Sequence, residues 1–321
     1  MTTYVEAIRQ ALFDEMERDP SVVCIGEDIG HFGGAFKATK GLLEAFGPMR
    51  VMDTPIAESL IVGTSIGAAI RGLRPVAEMQ FADFVTCGFS QLVNNAATFH
   101  YRLGVSVPMV VRLPAGGGVG AGPFHSKNPE AWFLQAPGLK VVAPATVEDA
   151  YGLLLAAIRD PDPVIYLEQK YYYRRLKGAF TPGKATPLGA CRVARAGSDV
   201  TVATYANGVA IGLEAAEKLE NEGVSVEVLD LRTLMPWDWR GVLASVERTH
   251  RLLLLSEASS SAGFIAEVAA VVADLGFDRL DAPIRRLSFP DVPVPAHPDL
   301  EAALRPDADR LCQDIRDLVA Y

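Results

Sequence analysis

The sequence predicts an α/β fold with a mostly parallel sheet covered by helices, followed by a second, smaller α/β unit. Short apolar runs alternate with longer helix-like stretches through the first half of the chain. Continuous apolar runs are typical of strands buried on both faces, and their alternation with helices is typical of parallel sheets. After a basic stretch at residues 169–198 the same alternation begins again.

The first unit opens with an amphipathic helix that ends before Pro20. Thr146 is expected to cap the last helix of this unit, because its hydroxyl can accept a hydrogen bond from a free amide of the first turn. Strands are predicted at residues 22–26, 107–113, 139–144 and 164–168, and helices around 60–71, 85–102 and 147–159.

The stretch 169–198 has seven Lys or Arg and no Asp or Glu, with two prolines and four glycines. We interpret residues 176–198 as a solvated linker; a docking patch for an acidic partner is the alternative. The predicted domains are therefore residues 1–175 and 199–321. In the second, strand-like runs at 199–206, 224–231 and 251–258 alternate with helical patterns.

Composition excludes several classes of protein. A formal charge of -9 argues against a nucleic-acid or anionic-membrane surface. No apolar run reaches the roughly 18 residues that a membrane-spanning helix needs, and the amino terminus is not the pattern of a signal peptide. The four cysteines and five histidines are scattered, so neither a disulfide framework nor a transition-metal site is indicated. A cytoplasmic protein that acts on small molecules or protein partners is expected.

Glu58 is the first candidate for chemistry, because it immediately precedes an uncharged apolar helix that spans residues 60–70. Gly63 and Gly67 would share one face of that helix and let another backbone approach. Desolvation at such a place raises the proton affinity of a carboxyl group, which suits proton transfer. The alternative is an ordinary acid in the first turn of a helix, where the helix dipole favours it.

A glycine cluster at residues 116–122 follows a predicted strand and formally satisfies a G-x-G-x-x-A phosphate pattern. Prolines bracket the cluster and no acid lies at the distance that a ribose contact requires, so the dinucleotide hypothesis is weak and a tight or mobile loop is favoured. His125 follows directly, where an imidazole can approach a ligand. Gln80, Phe81 and Phe84 are either core residues or an aromatic face for a flat heteroaromatic ligand.

In this order, the motifs resemble the beta subunit of the first, decarboxylating component of 2-oxo acid dehydrogenase complexes, a thiamine diphosphate-dependent family. The resemblance covers nearly the whole chain and implies a pyrimidine-binding domain of transketolase type plus a smaller transketolase C-terminal-like domain. It is carried by GEDIG at 26–30, RVMDTPIAES at 50–59, GLRPVAEMQFADF at 72–84, HSKNPEAW at 125–132, PGLKVVAPAT at 137–146, AAIRDPDPVIYLE at 156–168 and VEVLDLRTLMPWD at 226–238.

The resemblance implies roles for six positions. Glu58 corresponds to the acid that hydrogen-bonds a ring nitrogen of the coenzyme's aminopyrimidine, and Ile56, Gln80 and Phe84 would hold that ring. His125 would assist the bound 2-oxo acid and the later acyl transfer to lipoamide. Glu27, the sixth position, corresponds to an acid in the polar tunnel between paired active sites.

The chain has no GDG segment followed by an asparagine, the pattern with which this superfamily holds magnesium and diphosphate. By resemblance an alpha subunit would supply Mg2+ ligands in an alpha2-beta2 heterotetramer, and the carboxyl-terminal unit would pair the beta subunits and dock a lipoyl acyltransferase core. A structural potassium ion would bind main-chain oxygens near Ala157, Ile158, Asp160 and Asp162, although this segment is equally typical of an ordinary turn.

The expected activity is oxidative decarboxylation of a branched-chain 2-oxo acid or pyruvate, with FHYRLG at 99–104 closer to the branched-chain pattern. Lys127 replaces a glutamine that many relatives have, which leaves the surroundings of His125 open. The alternatives are an acetoin dehydrogenase beta subunit and a noncatalytic assembly subunit of the same fold. A nicotinamide-linked dehydrogenase is the third alternative.

Overall fold

The computed structural model describes all 321 residues and contains fourteen strands and eleven α-helices. The strands are β1 (Thr2–Thr3), β2 (Val22–Gly26), β3 (Val51–Asp53), β4 (Arg74–Glu78), β5 (Val110–Ala115), β6 (Lys140–Val142), β7 (Val164–Gln169), β8 (Lys177–Gly178), β9 (Arg192–Arg195), β10 (Val200–Thr204), β11 (Val226–Asp230), β12 (Thr233–Met235), β13 (Leu252–Ser259) and β14 (Arg285–Phe289). The helices are α1 (Tyr4–Arg18), α2 (Leu42–Phe46), α3 (Glu58–Ile70), α4 (Ala97–Leu103), α5 (Glu130–Leu134), α6 (Val147–Arg159), α7 (Asn207–Glu220), α8 (Trp239–Thr249), α9 (Phe264–Leu275), α10 (Pro298–Leu304) and α11 (Ala308–Val319).

Two sheets form the framework. The first has seven strands in the order β12-β6-β7-β5-β4-β2-β3, all parallel except for β12, which pairs antiparallel with β6. The second has five strands in the order β14-β13-β10-β11-β9, parallel except for β9. The α/β class expected from the sequence is confirmed, and the parallel strands carry their loops to a common edge.

The two units share one hydrophobic core. Helices α1 and α6 cover one face of the first sheet, and α7 and α11 cover one face of the second. The largest apolar cluster, of 39 buried residues, takes side chains from α3 and the other face of the first sheet together with β11, α8 and α9. Burial of this shared surface fixes the second unit against the first.

The stretch predicted as a linker contains two strands. Strand β8 pairs with β1, and β9 forms the edge of the second sheet. Strand β12 lies in the predicted second domain but extends the first sheet. Pairing between strands that are distant in sequence leaves no signal in the composition. The predicted domain boundaries stay a prediction.

Local patterns located most elements of the first unit. Helix α1 ends before Pro20, and the Thr146 hydroxyl accepts a hydrogen bond from the Asp149 amide at the start of α6. The helix predicted at 85–102 is confirmed from residue 89 onward, since the chain is helical without interruption from there to Leu103. The chain there forms a 3-10 turn (Ala82–Cys87), a π-helical turn (Gln91–Ala96) and then α4.

The two glycines of α3 do not receive another backbone from this chain. A β-carbon at Gly63 or at Gly67 would have no atom within 4 Å. Leu60 on the same face is 53% exposed, whereas Ile61 and Val62 are buried in the core. The helix is therefore buried on one face and open on the other.

A buried ion network joins the three central strands at their carboxyl ends. Arg112 on β5 is 1% exposed and donates to both carboxylate oxygens of Glu168 on β7, at 2.5 and 2.9 Å, and to Glu78 on β4. The Tyr173 hydroxyl donates to Glu168 at 2.6 Å. Burial acts to lower the pKa of Arg112, but the carboxylates of Glu168 and Glu78 outweigh it, so that the guanidinium stays charged.

We expect Arg112→Met to lower the free energy of unfolding by about 3–5 kcal/mol, because removing one partner of a buried ion network leaves the others uncompensated. Urea denaturation followed by circular dichroism measures the change. Arg316→Met is the matched control, since Arg316 pairs with Glu222 on the surface and exposed pairs contribute little. Equal effects of the two substitutions would contradict the prediction.

Candidate functional site

Four segments that carry predicted site residues meet at one edge of the first sheet. Strands β2, β3, β4 and β5 are neighbours or next neighbours and run parallel. Glu27 follows β2, Glu58 follows β3, Gln80 and Phe84 follow β4, and His125 follows β5. The carboxyl ends of parallel strands are the usual ligand-binding edge of an open α/β sheet.

Glu58 and Glu27 form a pair of carboxylates at this edge. Glu58 is the first residue of α3 and is half-buried. Glu27 is 5% exposed, and its Oε1 has no hydrogen-bond partner. Burial and then the nearby Glu58 carboxylate raise the pKa of Glu27, while a hydrogen bond from the Ala57 main chain opposes the rise. Glu27 can therefore accept a hydrogen bond from a ligand through Oε1, and its raised pKa favours the protonated form.

His125 lies in a cluster of aromatic rings. Its imidazole is edge-on to Phe81, with ring centres 4.5 Å apart, and to Phe84, at 5.4 Å. Phe81 also contacts Phe36 at 5.3 Å, and Phe36 contacts Tyr173 at 5.0 Å. The structure thus brings together Phe84 and His125, two of the residues expected from the sequence. These rings form an aromatic wall for a planar ligand.

The remaining predicted residues lie around Glu58 and Glu27. The Gln80 side-chain amide donates to Asp28 at 3.1 Å, beside Glu27. Ile56, two residues before Glu58, is 84% exposed. Gly88 packs so closely that an added β-carbon would lie 3.1 Å from the Glu58 carbonyl oxygen. An apolar side chain is thus left open beside a carboxylate, an arrangement that suits a heteroaromatic ligand.

The glycine cluster forms a tight loop and not a dinucleotide site. Gly116, Gly118, Gly120 and Gly122 all have positive φ, between 66° and 85°. The next helix, α5, starts only at Glu130, so no helix amino terminus follows the cluster to face a pyrophosphate. The cluster is therefore a tight loop. The glycine pattern no longer supports the alternative of a nicotinamide-linked dehydrogenase.

Sequence reasoning missed a buried lysine, Lys170, behind the aromatic rings. The Lys170 ammonium donates to the Pro114 carbonyl at 3.2 Å and lies 5.7 Å from the Phe81 ring centre. Burial lowers the pKa of Lys170 to about 8, against the attraction of Asp83 and two more distant glutamates. Asp83 accepts a hydrogen bond from the Lys127 amide, and its Oδ2 has no partner. The QFADF motif contained Asp83, but nothing local pointed to Lys170.

Lys127 extends its charged end away from any carboxylate. Its Nζ lies 5.9 Å from the ring centres of Phe124 and Trp132. Its main chain joins the glycine loop, because the Gly116 amide donates to the Lys127 carbonyl at 3.0 Å. The residue therefore closes the base of the loop that carries His125.

The residues predicted to bind potassium lie at the opposite edge of the sheet, where α6 leads into β7. Arg74 donates to the carbonyl oxygens of Ile158, at 2.8 Å, and Asp160, at 3.1 Å. Lys140 binds the Asp160 carboxylate at 2.7 Å and lies 3.3 Å from that of Asp162. Ala157 accepts from the Asp160 amide. Arg74 thus contacts two of the main-chain oxygens of this turn and Lys140 contacts its carboxylates, and the potassium site stays a prediction.

Other classes of site are limited by the structure. No group of three or more His, Cys, Asp or Glu side chains could hold a metal ion, and all four cysteines are free. None of the helices combines the length and the apolar character that crossing a membrane requires. The edge with Glu58 and His125 is therefore the place to compare with known proteins.

The comparisons place the whole chain in one class of fold. Residues 1–175 match the family described as "Transketolase, pyrimidine binding domain", and residues 189–311 match "Transketolase, C-terminal domain". A solved structure titled "Split gene transketolase, inactive beta4 tetramer" superposes with a TM-score of 0.82, covering 99% of this chain and 98% of that one at 22% identity. These matches define a transketolase-type chain, as the fold class predicted.

The curated relatives narrow the family. The chain is 45% identical to the 2-oxoisovalerate dehydrogenase subunit beta of Bacillus subtilis, with 99% of each chain covered. It is 43% identical to the pyruvate dehydrogenase E1 component subunit beta of Leifsonia xyli, covering 99% of this chain and 94% of the relative, and 42% identical to a mitochondrial beta subunit from rice, covering 96% and 83%. The chain belongs to the beta-subunit family of the 2-oxo acid dehydrogenase E1 component, which confirms the resemblance, the enzyme class and the function expected from it.

We expect Glu27→Gln to stabilise the chain at pH 8, because ionised Glu27 is buried beside Glu58 and its pKa is raised in the fold. The pKa of Glu27 is near 4.5 in the unfolded chain and higher in the folded one. The folded state therefore loses stability as the pH rises from the unfolded pKa through the folded pKa. The melting temperature of the variant should therefore exceed that of the wild type at pH 8, and the difference should shrink toward pH 5. A difference that grows on acidification would contradict the assigned direction.

Proposed function

We propose that this chain, together with an alpha subunit, catalyses the thiamine diphosphate-dependent oxidative decarboxylation of a 2-oxo acid and the reductive acylation of lipoamide on an acyltransferase. A branched-chain 2-oxo acid is the first candidate substrate and pyruvate the second. The observation that carries the proposal is the Glu58–Glu27 pair at the carboxyl edge of the sheet, beside the aromatic wall that contains His125. The relatives named as 2-oxoisovalerate and pyruvate dehydrogenase beta subunits support the reaction class.

Glu58 has the position to bind a ring nitrogen of an aminopyrimidine and to exchange a proton with it. Its carboxylate stands at the start of α3, close enough to that of Glu27 to raise the pKa of Glu27. Phe84, Gln80 and Ile56 would bound the ring, and Glu27 would accept a further hydrogen bond through its free Oε1. When bound, thiamine diphosphate supplies the carbon nucleophile and the electron sink for decarboxylation.

His125 has the position to donate a proton to, or accept one from, a substrate that enters beside the aromatic rings. Phe81 and Phe84 fix its ring edge-on, which limits the rotamers open to the imidazole. An imidazole has one nitrogen that can donate and one that can accept a hydrogen bond, so it can serve the substrate carboxyl or carbonyl and later the incoming thiol.

An alpha subunit is the proposed cover for the open face of α3. Leu60 is exposed there, Ile56 lies next to it, and Gly63 and Gly67 leave room for another backbone. Exposed apolar side chains around a functional carboxylate are typical of a protein interface. We further propose, from the family, that the alpha subunit holds Mg2+ and the diphosphate in an alpha2-beta2 assembly, that the carboxyl-terminal unit meets a lipoyl acyltransferase core, and that the complex is cytoplasmic.

Glu58→Gln should lower 2-oxo acid turnover by roughly 100-fold or more, because the amide cannot exchange a proton with the ring nitrogen. Turnover is measured on the complex reconstituted with the alpha subunit, thiamine diphosphate and magnesium, over a panel of branched-chain 2-oxo acids, pyruvate and acetoin. The melting temperature should stay near that of the wild type, which separates lost chemistry from lost folding. Near-full turnover by the variant would rule out the role of Glu58.

His125→Ala should affect acyl transfer to lipoamide far more than coenzyme binding, because the imidazole contacts Phe81 and Phe84 and not the Glu58–Glu27 pair. We expect transfer to fall roughly 100-fold. Lipoyl-domain acylation and the dissociation constant of thiamine diphosphate measure the two effects separately. Equal losses in both would contradict the assignment.

A further inference from the structure

The tip of the loop that carries His125 makes few hydrogen bonds. Residues 117–121 lie between β5 and α5 and make only two hydrogen bonds with the rest of the chain. Both end on one side chain of the second unit. The Gly118 amide donates to Oε1 of Glu301 at 2.6 Å, and the Gly120 amide donates to its Oε2 at 2.9 Å.

Glu301 is built into this contact. It belongs to α10 and is 2% exposed. A β-carbon on Gly117 would lie 2.4 Å from its Oε1, so the loop main chain is pressed against the carboxylate. A buried carboxylate is costly unless it is hydrogen-bonded and compensated. The two amides satisfy it, and the positive charges of Arg305 and Lys170 are close enough to interact with it.

Arg305 keeps the carboxylate of Glu301 available for the loop. Its guanidinium is bound by Glu257, which also accepts hydrogen bonds from Gln169 and Asn207. The cation therefore balances the charge of Glu301 without occupying both of its oxygens. In this contact between the two units, the Glu301 carboxylate accepts hydrogen bonds from two amides of the glycine loop.

The loop leads directly to His125. The Gly116 amide closes the base of the loop on Lys127, and the His125 amide donates to the Gly122 carbonyl at 3.3 Å. The imidazole then packs on Phe81. The loop is thus held at its base by Lys127 and at its tip by Glu301, on either side of the segment that leads to the imidazole.

We infer that Glu301, a residue of the second unit, is a positioning residue. It binds the glycine loop of the first unit and thereby orients His125 toward the substrate. The effect on turnover rests on the role proposed for His125, whereas the effect on the loop does not. Glu301 itself touches neither substrate nor coenzyme in this assignment.

The test compares Glu301→Gln with Asp299→Asn in the reconstituted alpha-beta complex. Both substitutions remove one charge from α10, but Asp299 is an exposed residue that does not bind the loop. Hydrogen exchange of the amides in 116–127 should be faster in Glu301→Gln and unchanged in Asp299→Asn. Turnover should fall roughly tenfold in Glu301→Gln alone, the scale of one lost hydrogen bond to a charged group. The coenzyme dissociation constant should not change.

A double substitution shows whether the loss passes through His125. If Glu301 acts by aiming the imidazole, adding Glu301→Gln to His125→Ala should lower turnover by less than about twofold more. Faster exchange with unchanged turnover, or full additivity of the two losses, would overturn the positioning role. Unchanged exchange would overturn the contact itself. If His125→Ala keeps wild-type turnover, the proposed function of His125 fails, and exchange alone then decides on the contact. Glu301→Asp, which keeps the charge, replaces Glu301→Gln if that variant misfolds.

Discussion

The charge on Arg112 is the constraint on which the first unit depends. Its guanidinium is buried at the centre of the sheet and must have its carboxylate partners, so β4, β5 and β7 can pair in only one register. The strand ends that this register fixes are the ones that carry the functional side chains. Glu78 lies two residues before Gln80, and the loop with His125 begins where β5 ends.

The same network also reaches the aromatic wall. Glu168 accepts from the Tyr173 hydroxyl, the Tyr173 ring packs on Phe36, and Phe36 packs on Phe81, which contacts His125. Each step is a packed contact between rigid rings or a charged hydrogen bond. The imidazole is thus supported from below by the sheet and, through the loop, from the second unit by Glu301.

Sequence reasoning predicted what depends on local patterns. Helix α1, the cap at Thr146, the strands at 22–26 and 164–168 and the placement of Glu58 before α3 all follow from periodicity or turn chemistry within a few residues. Contacts between distant segments have no such pattern. The burial of Lys170, the pairing of β12 with β6 and the contact of Glu301 with Gly118 join residues up to 183 positions apart. The predicted helix at 85–102 becomes continuous only after Gly88, where an added β-carbon would lie 3.1 Å from the Glu58 carbonyl oxygen, which is another contact between distant segments.

The distribution of charge explains why the site is on an open face. Burial and the nearby Glu58 carboxylate raise the pKa of Glu27, which favours a bound proton there but costs folding free energy when Glu27 is ionised. A ligand that donates hydrogen bonds to Glu27 and Glu58 would remove that cost. The apolar surface beside them, with Ile56 and Leu60 exposed, would be buried by a second chain. Binding of coenzyme and of partner would therefore relieve two separate penalties at one place.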